Sequence, residues 1–391
     1  MVLEFLRGGQ KSQAPESKAS AAGPVLAFHN AGRVAWSPRD TVSLMRTGFS
    51  GNPIGFRCVK MIAEAVGAVP YQLTIEREAY DKHPVLNLLK RPNAGQGYVD
   101  FLEELVGQLL LSGDGFVEAA ALGEEAPQEL YVLRSDRMRV VPGADGWPIA
   151  YEYAVGGRKH RFDMTGDAQP ILHVKSFHPS DDHYGLSPLE AAAGALDVHS
   201  SASRWSKALL DNAARPSGAI IYKGADGMGA LGQDQYSRLV EEIELNHQGA
   251  RNAGRPMLLE GGLDWKQMGF SPSDMEFQKT KETAVREVAL AFGIPPLLLG
   301  LPGDNTYANY AEANRAFYRQ TVLPLCAKLH NSLSNWLSGY GEEPIVIKAD
   351  LDHLPALATE RDALWSRVKD ADFLSDDEKR EMLGLSKKRD V

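Results

Sequence analysis

The chain has 391 residues, 43% hydrophobic and 24% charged, which suits one elaborate or two to three modest globular domains and argues against wholesale disorder. Its formal net charge of −9 argues against a tight nucleic-acid binder, whose affinity comes mostly from neutralised phosphates and released counterions; it leaves room for a surface that DNA slides past. Two cysteines, Cys58 and Cys326, exclude a disulfide framework and a Cys-based zinc site, and no apolar run approaches the ~20 residues of a membrane span.

Met1 to Arg7 lacks the charged, apolar and small-residue succession of a secretory signal, so a cytoplasmic origin is expected. Residues 8–40 are rich in Gly, Ser, Ala and Pro. Residues 1–44 are therefore expected to form a flexible, slightly basic arm. Beyond it, Ile54, Cys58, Ile62 and Ala65 recur at helical spacing and predict a helix over 53–67, and Val69 to Ile75 alternates as a strand. His83 to Lys90 reads as a short helix stopped by Arg91-Pro92-Asn93. Phe101 to Leu111 is a helix carrying Leu102, Leu105, Val106 and Leu109 on one face. Ser112-Gly113-Asp114-Gly115 turns into a strand, Phe116 to Ala121, and Leu130 to Val141 and Ile149 to Val155 read as strands around Gly143 to Gly146. This block is α+β.

Ser187-Pro188-Leu189-Glu190 is a strong helix start, with hydroxyl at N-cap, proline at the first helical position and glutamate positioned for a capping box. From it an unbroken helix is expected to about Asn212. Residues 218–270 read as a small insert: a strand at Ala219 to Lys223, a helix near 233–247 with an acidic face of Asp234, Glu241, Glu242 and Glu244, and strand-like pieces near Met257 to Leu259 and Leu263 to Met268. A second long helix is expected from Asp274 to Phe292, stopped by Gly293-Ile294-Pro295-Pro296. A polar loop, Gly300 to Thr306, leads to a third long helix from near Tyr307 to about Trp336, with Pro324 as a kink. A strand, Ile345 to Lys348, and two helices follow, the last opened by the capping box Ser375-Asp376-Asp377-Glu378.

The richest cluster of potential metal ligands is His173, His178, Asp181, Asp182 and His183, but its spacing fits no metal signature and Asp and His serve turns equally well. No Gly-x-x-x-x-Gly-Lys-Ser/Thr phosphate loop and no Gly-x-Ser-x-Gly elbow occurs. No catalytic residue, metal or cofactor is expected. A metal-dependent hydrolase remains the enzymatic alternative.

Three stretches, in this order, resemble the portal proteins of tailed bacteriophages with long non-contractile tails and their prophage and gene-transfer-agent relatives. They are Tyr184-Gly185-Leu186-Ser187-Pro188-Leu189-Glu190; Ala289 to Gly300 followed by Asn305-Thr306-Tyr307-Ala308-Asn309; and Phe373-Leu374-Ser375-Asp376-Asp377-Glu378 through Leu385. The resemblance implies a wing over 45–186, a long helix from wing to stem over 187–216, an α/β clip over 217–270 and a stem helix over 271–294. It further implies a tunnel loop over 295–307, a return to the wing over 308–350 and a helical crown over 351–391. It also implies a homo-oligomeric, dodecameric ring at one capsid vertex, passing double-stranded DNA without sequence specificity. The partners implied are the major capsid protein, the terminase large subunit and the head–tail adaptor, with no membrane. Another ring-forming head–tail connector is the structural alternative.

Under this resemblance the loop residues nearest DNA are Leu301, Gly303, Asp304, Asn305 and Thr306. Lys279, Lys281 and Glu282 are candidates to face the channel, the lysines alternatively pairing with neighbouring acids. Glu241, Glu242 and Glu244 are candidates for partner binding. Twelve copies of a −9 chain would carry about −108 before screening, which argues against a uniformly basic lumen.

Overall fold

In the computed structural model the described residues are 36–75, 78–80, 82–121, 126–166, 168–211, 218–222, 232, 234, 237–238, 241, 263–267, 277–301, 306–341 and 343–385. The expected N-terminal arm lies outside them up to residue 35. A short helix α1 (Thr41–Leu44) runs into a π turn (Met45–Ser50), neither of them evident from the sequence. Asn52 caps α2 (Pro53–Gly67) through its side-chain oxygen. Buried Cys58, Val59, Ile62, Ala63 and Val66 make α2's inner face, and α2 packs on α4 (Tyr98–Ser112), whose Leu102, Leu105, Val106 and Leu109 are buried as expected. Between these helices lie β1 (Tyr71–Ile75), β2 (Glu78–Tyr80) and α3 (Pro84–Lys90), the last capped by His83.

The β elements are more numerous than the sequence suggests. β3 (Asp114–Ala120) pairs antiparallel with β4 (Glu129–Leu133) on one side and β8 (Ile171–Lys175) on the other. A second sheet has the order β5 (Met138–Pro142), β6 (Pro148–Val155), β7 (Arg158–Asp163). The single strand expected over Leu130 to Val141 is thus two strands in different sheets. A 3₁₀ turn at Ser135–Arg137 separates them, and Gln108 Oε1 fixes it by accepting from Ser135 N and Oγ at 3.2 and 2.8 Å. Phe116, Leu133, Met138, Val140, Tyr151 and Ile171 form a small core joining the two sheets.

The long helix after Ser187 is interrupted once, into α5 (Pro188–Ala191) and α6 (Ala193–Asp211) with a turn at Ala192. Ser187 Oγ accepts from Leu189 N at 2.9 Å and Glu190 N at 3.3 Å, so the serine caps as expected. The insert contributes the antiparallel pair β9 (Gly218–Tyr222) and β10 (Leu263–Gln267). Then come α7 (Phe277–Ala291), α8 (Tyr307–Phe317) and α9 (Leu323–Ser338). β11 (Ile345–Ala349) returns to pair with β1, Ile345 opposite Ile75 and Ala349 opposite Tyr71, giving the sheet order β11-β1-β2. α9 packs on β11, and its buried Cys326, Leu329, Leu333 and Leu337 close the main core. α10 (Ala358–Lys369) and α11 (Asp376–Met382) end the described chain, α11 with the expected capping box: Glu378 N donates to Ser375 Oγ and Ser375 N to Glu378 Oε2. The fold is α+β.

Candidate DNA-channel segment

α6 and α7 pack against each other, with Val285, Val288 and Ala289 buried on α7. Buried Asn52 ties α6 to the core: its Nδ2 reaches Leu196 O (3.3 Å), His199 Nδ1 (3.2 Å) and Ser200 Oγ (3.0 Å). Burial, together with the charge of Lys281 on α7, lowers the His199 imidazole below its ordinary value. Three polar groups thus fix α6 against the rest of the fold.

α7 ends in a Schellman motif. Gly293 takes φ +67, its N–H donates to Leu290 O (3.0 Å), and Ile294 N donates to Ala289 O (2.9 Å). The segment that follows is partly built. Ile294 is buried, Pro296–Leu299 form a 3₁₀ turn whose Leu298 and Leu299 pack on the main core, and Gly300 turns the chain at φ +75. On the far side Thr306 caps α8, accepting from Asn309 N at 3.2 Å. Thr321 Oγ1 donates to Gly293 O at 2.5 Å and so fastens the end of α7 to the turn after α8. That turn, Tyr318–Val322, is a π helix placed just before Pro324. The disruption expected from the proline is accommodated here, because the wider turn re-routes a ladder that the missing N–H would break.

Of the expected loop residues, Leu301 is half-buried and Thr306 is exposed, while Gly303, Asp304 and Asn305 lie outside the described residues. On α7, Lys279 is exposed, and Lys281 and Glu282 are half-buried. Glu282 accepts from Gln278 Nε2 (2.8 Å) and faces Arg286 (3.9 Å). In the insert, Asp234, Ser237, Arg238 and Glu241 are helical and exposed at i, i+3, i+4 and i+7, one solvent-facing stripe; Glu242 and Glu244 lie outside the described residues.

The His/Asp cluster is not gathered into one site. His173 Nε2 donates to Asp114 Oδ1 (2.8 Å), which leaves Nδ1 to accept from the Tyr151 hydroxyl (3.2 Å), while Phe116 stacks on the ring at 4.2 Å. Burial, aided by the Asp114 charge, pushes Tyr151 up to about 12, so it remains a donor. Asp181 caps its own turn, accepting from His183 N and Tyr184 N, and those bonds hold its carboxyl below its ordinary value. His178 Nδ1 accepts from Ser180 N. Among the described residues no group of three or more His, Cys, Asp or Glu is placed to hold a metal ion, and no helix is long and apolar enough to cross a membrane.

The segment at 112–115, read from sequence only as a turn, proves to be a joint. Asp114 is buried and its Oδ1 also accepts from Gly185 N (2.9 Å); Ser176 N donates to Gly113 O (2.8 Å). A Cβ on Gly113 would lie 2.2 Å from Gly185 O, and one on Gly185 2.1 Å from Gly113 O. The two backbones cross in contact just before the Ser187 cap, so the β3–β8 sheet sets where the long helix starts.

The model of the phage portal protein family matches residues 53–384. The chain belongs to the phage portal protein family. It is accordingly a portal subunit, one of the copies that form the channel at a capsid vertex, and DNA packaging is the family's general role. The family is a structural one. A chain in the neck of an empty gene-transfer-agent particle, computed with C6 symmetry, is 68% identical and matches with a TM-score of 0.73, covering 92% of this chain and 97% of that one. A chain in the neck of the native particle, computed with C12 symmetry, is 67% identical with a TM-score of 0.70 and the same coverages. The probable portal protein of Streptomyces phage phiC31 is 26% identical over 80% of this chain and 69% of its own length. In this portal protein, the packed α6 and α7 and the fastened end of α7 all lie within the residues that the family model matches.

Proposed function

We propose that this portal subunit forms a dodecameric ring in the neck of a gene-transfer-agent-type particle, with residues 295–307 as the tunnel loop. The reading rests above all on the 68% identity, across 92% of the chain, to a chain in such a neck. In this reading residues 45–186 and 308–350 form the wing, a division supported by β11 returning to pair with β1. α6 and α7 enter the stem, the β9–β10 insert is the clip, and residues 351–391 are the crown. The ring docks the terminase large subunit and later the head–tail adaptor, through a clip surface that includes Glu241, Glu242 and Glu244. Its rim meets the major capsid protein, and double-stranded DNA passes through without base readout. Leu301, Gly303, Asp304, Asn305 and Thr306 lie nearest the duplex, with Lys279, Lys281 and Glu282 facing the channel. Assembly takes place in the host cytoplasm before the subunit becomes part of the virion. The work done on DNA comes from the motor, and the subunit itself performs no catalysis.

Proximity to DNA can be tested in DNA-filled particles carrying Asn305→Cys. Both native thiols are buried and pushed up to about 12 by that burial, which leaves a quiet background for thiol chemistry. A bifunctional thiol-to-DNA crosslinker is expected to join Asn305→Cys to packaged DNA and to leave a control on exposed Asp145 unjoined. Crosslinking at the control equal to that at position 305 would refute the assignment of the loop.

A further inference from the structure

The sheet β5–β6–β7 is a basic enclave in an acidic chain. Residues 134–163 hold six Lys/Arg against four Asp/Glu, whereas the chain as a whole carries −9. The register sets Arg139, Glu152 and Arg161 side by side, and strand alternation puts them on the face opposite buried Met138, Val140 and Tyr151. Three of the four acids are neutralised by neighbours: Asp136 pairs with Arg134 (2.7 Å), Glu152 with Lys159 (3.3 Å) and Asp163 with Arg161 (2.7 Å). The fourth, Asp145, precedes β6, about 25 Å from the β6–β7 turn along the strand between them. Left over are exposed Arg139 and Arg158 and half-buried Arg137, none with an ion pair among the described residues. Arg158 directly follows the β6–β7 turn, Gly156-Gly157, whose residues take φ +57 and +79. A Cβ on either glycine would meet nothing within 4 Å, so the backbone of this turn stands in the open. Because β5 and β6 are antiparallel, Arg137 and Arg139 enter at the same end of the sheet.

We infer that this end of the sheet is a second contact for double-stranded DNA, holding the phosphate backbone without reading bases. The uncompensated charge here is all positive and all carried by arginine, whose planar fork matches a phosphate. A protein partner fits less well. The centre of a protein–protein contact is depleted of charge and rich in aromatic side chains, whereas this face offers only Ala154 and half-buried Val141 between its charged residues. Duplex DNA is the polyanion that the family packages. The inference rests on that family role, and not on the ring reading or the tunnel loop. Three arginines neutralise few phosphates, so the contact is weak and salt-sensitive. It suits DNA that rests against the protein outside the passage.

Fluorescence anisotropy tests this, with a labelled duplex of about 30 base pairs in about 20 mM salt, where phosphate contacts count most. The variant Arg137→Ala/Arg139→Ala/Arg158→Ala removes the three uncompensated charges. A control, Lys348→Ala/Arg367→Ala/Lys369→Ala, removes three exposed cations from β11 and α10 and changes the net charge equally. The first variant is expected to bind about tenfold more weakly than wild type, its slope of log K against log salt lower by about 2 to 3, near 0.9 per lost contact. The control is expected to stay within about twofold of wild type. Equal losses in both, no loss in the first, or wild-type protein that leaves the duplex free at this salt overturns the inference. Arg158→Glu, at the open turn, keeps the test independent of folding: it is expected to melt like wild type and to weaken binding alone, and wild-type affinity in it overturns the inference too. Rings that still close in the first variant while its DNA affinity falls separate this contact from the ring reading.

Discussion

Asp114 holds together three parts of the molecule at one carboxylate: its own strand, the His173 ring and the Gly185 amide. Asp114→Ala leaves two donors without their acceptor in a buried setting and is expected to cost about 3 kcal/mol in urea denaturation, with Asp114→Asn costing less because one acceptor remains. His330 offers a pH test. Burial lowers its imidazole to about 4, and its Nε2 lies 2.9 Å from the Tyr98 hydroxyl. The unfolded chain takes up a proton on this ring below about 6.5, whereas the folded chain stays neutral to about 4. The unfolded state therefore binds more protons in that window, and stability present at neutral pH is lost as the pH falls from about 6.5 towards 4. Between pH 7.5 and 5 this ring should account for a loss of about 2 kcal/mol that His330→Asn no longer shows; identical slopes for the two proteins would contradict the burial argument. None of this was legible in the sequence. Asp114 read as a turn residue and His173 as a candidate ligand, because the crossing that unites them brings together residues 59 positions apart.

The helices were the most legible elements. Their stripes, caps and stops lie within a few residues of one another, as Ser187 and the Ser375–Glu378 box show. β7 was missed because Arg158-Lys159-His160-Arg161 has no apolar alternation and is a strand only through pairing with β6. The two π turns were likewise invisible. The stop after α7 was legible in Gly293-Ile294-Pro295-Pro296, but the fastening of that helix end was not, since nothing near Thr321 announces a partner at Gly293. Two substitutions probe that fastening. Thr321→Val removes the hydroxyl at constant volume and is expected to lower stability by about 1 kcal/mol, with Thr321→Ser retaining it. Gly293→Ala forces a Cβ into φ +67 and to 2.9 Å from Thr321 Oγ1; a cost of about 1 to 2 kcal/mol is expected by calorimetry. A neutral Gly293→Ala would contradict the Schellman ending of α7.

At the scale of the whole molecule, the fold class and the family were readable because they depend on the order of well-punctuated segments along the chain. The inter-strand register was not, since β1 meets β11 across 270 or more positions. An acidic subunit that walls a passage for DNA gains by not binding it: strong phosphate contacts would hold the duplex instead of letting it pass. Purified protein should accordingly show only weak affinity for duplex DNA, falling further as salt is raised, in a filter-binding titration; nanomolar binding at physiological salt would oppose this. The most direct test of the account is a three-dimensional reconstruction of the assembled full chain. It should show twelve subunits closed around a hole, with α6 and α7 along its wall and residues 295–307 at its narrowest point. A solitary subunit, or a ring whose 295–307 segment lies on the outer rim, would contradict it.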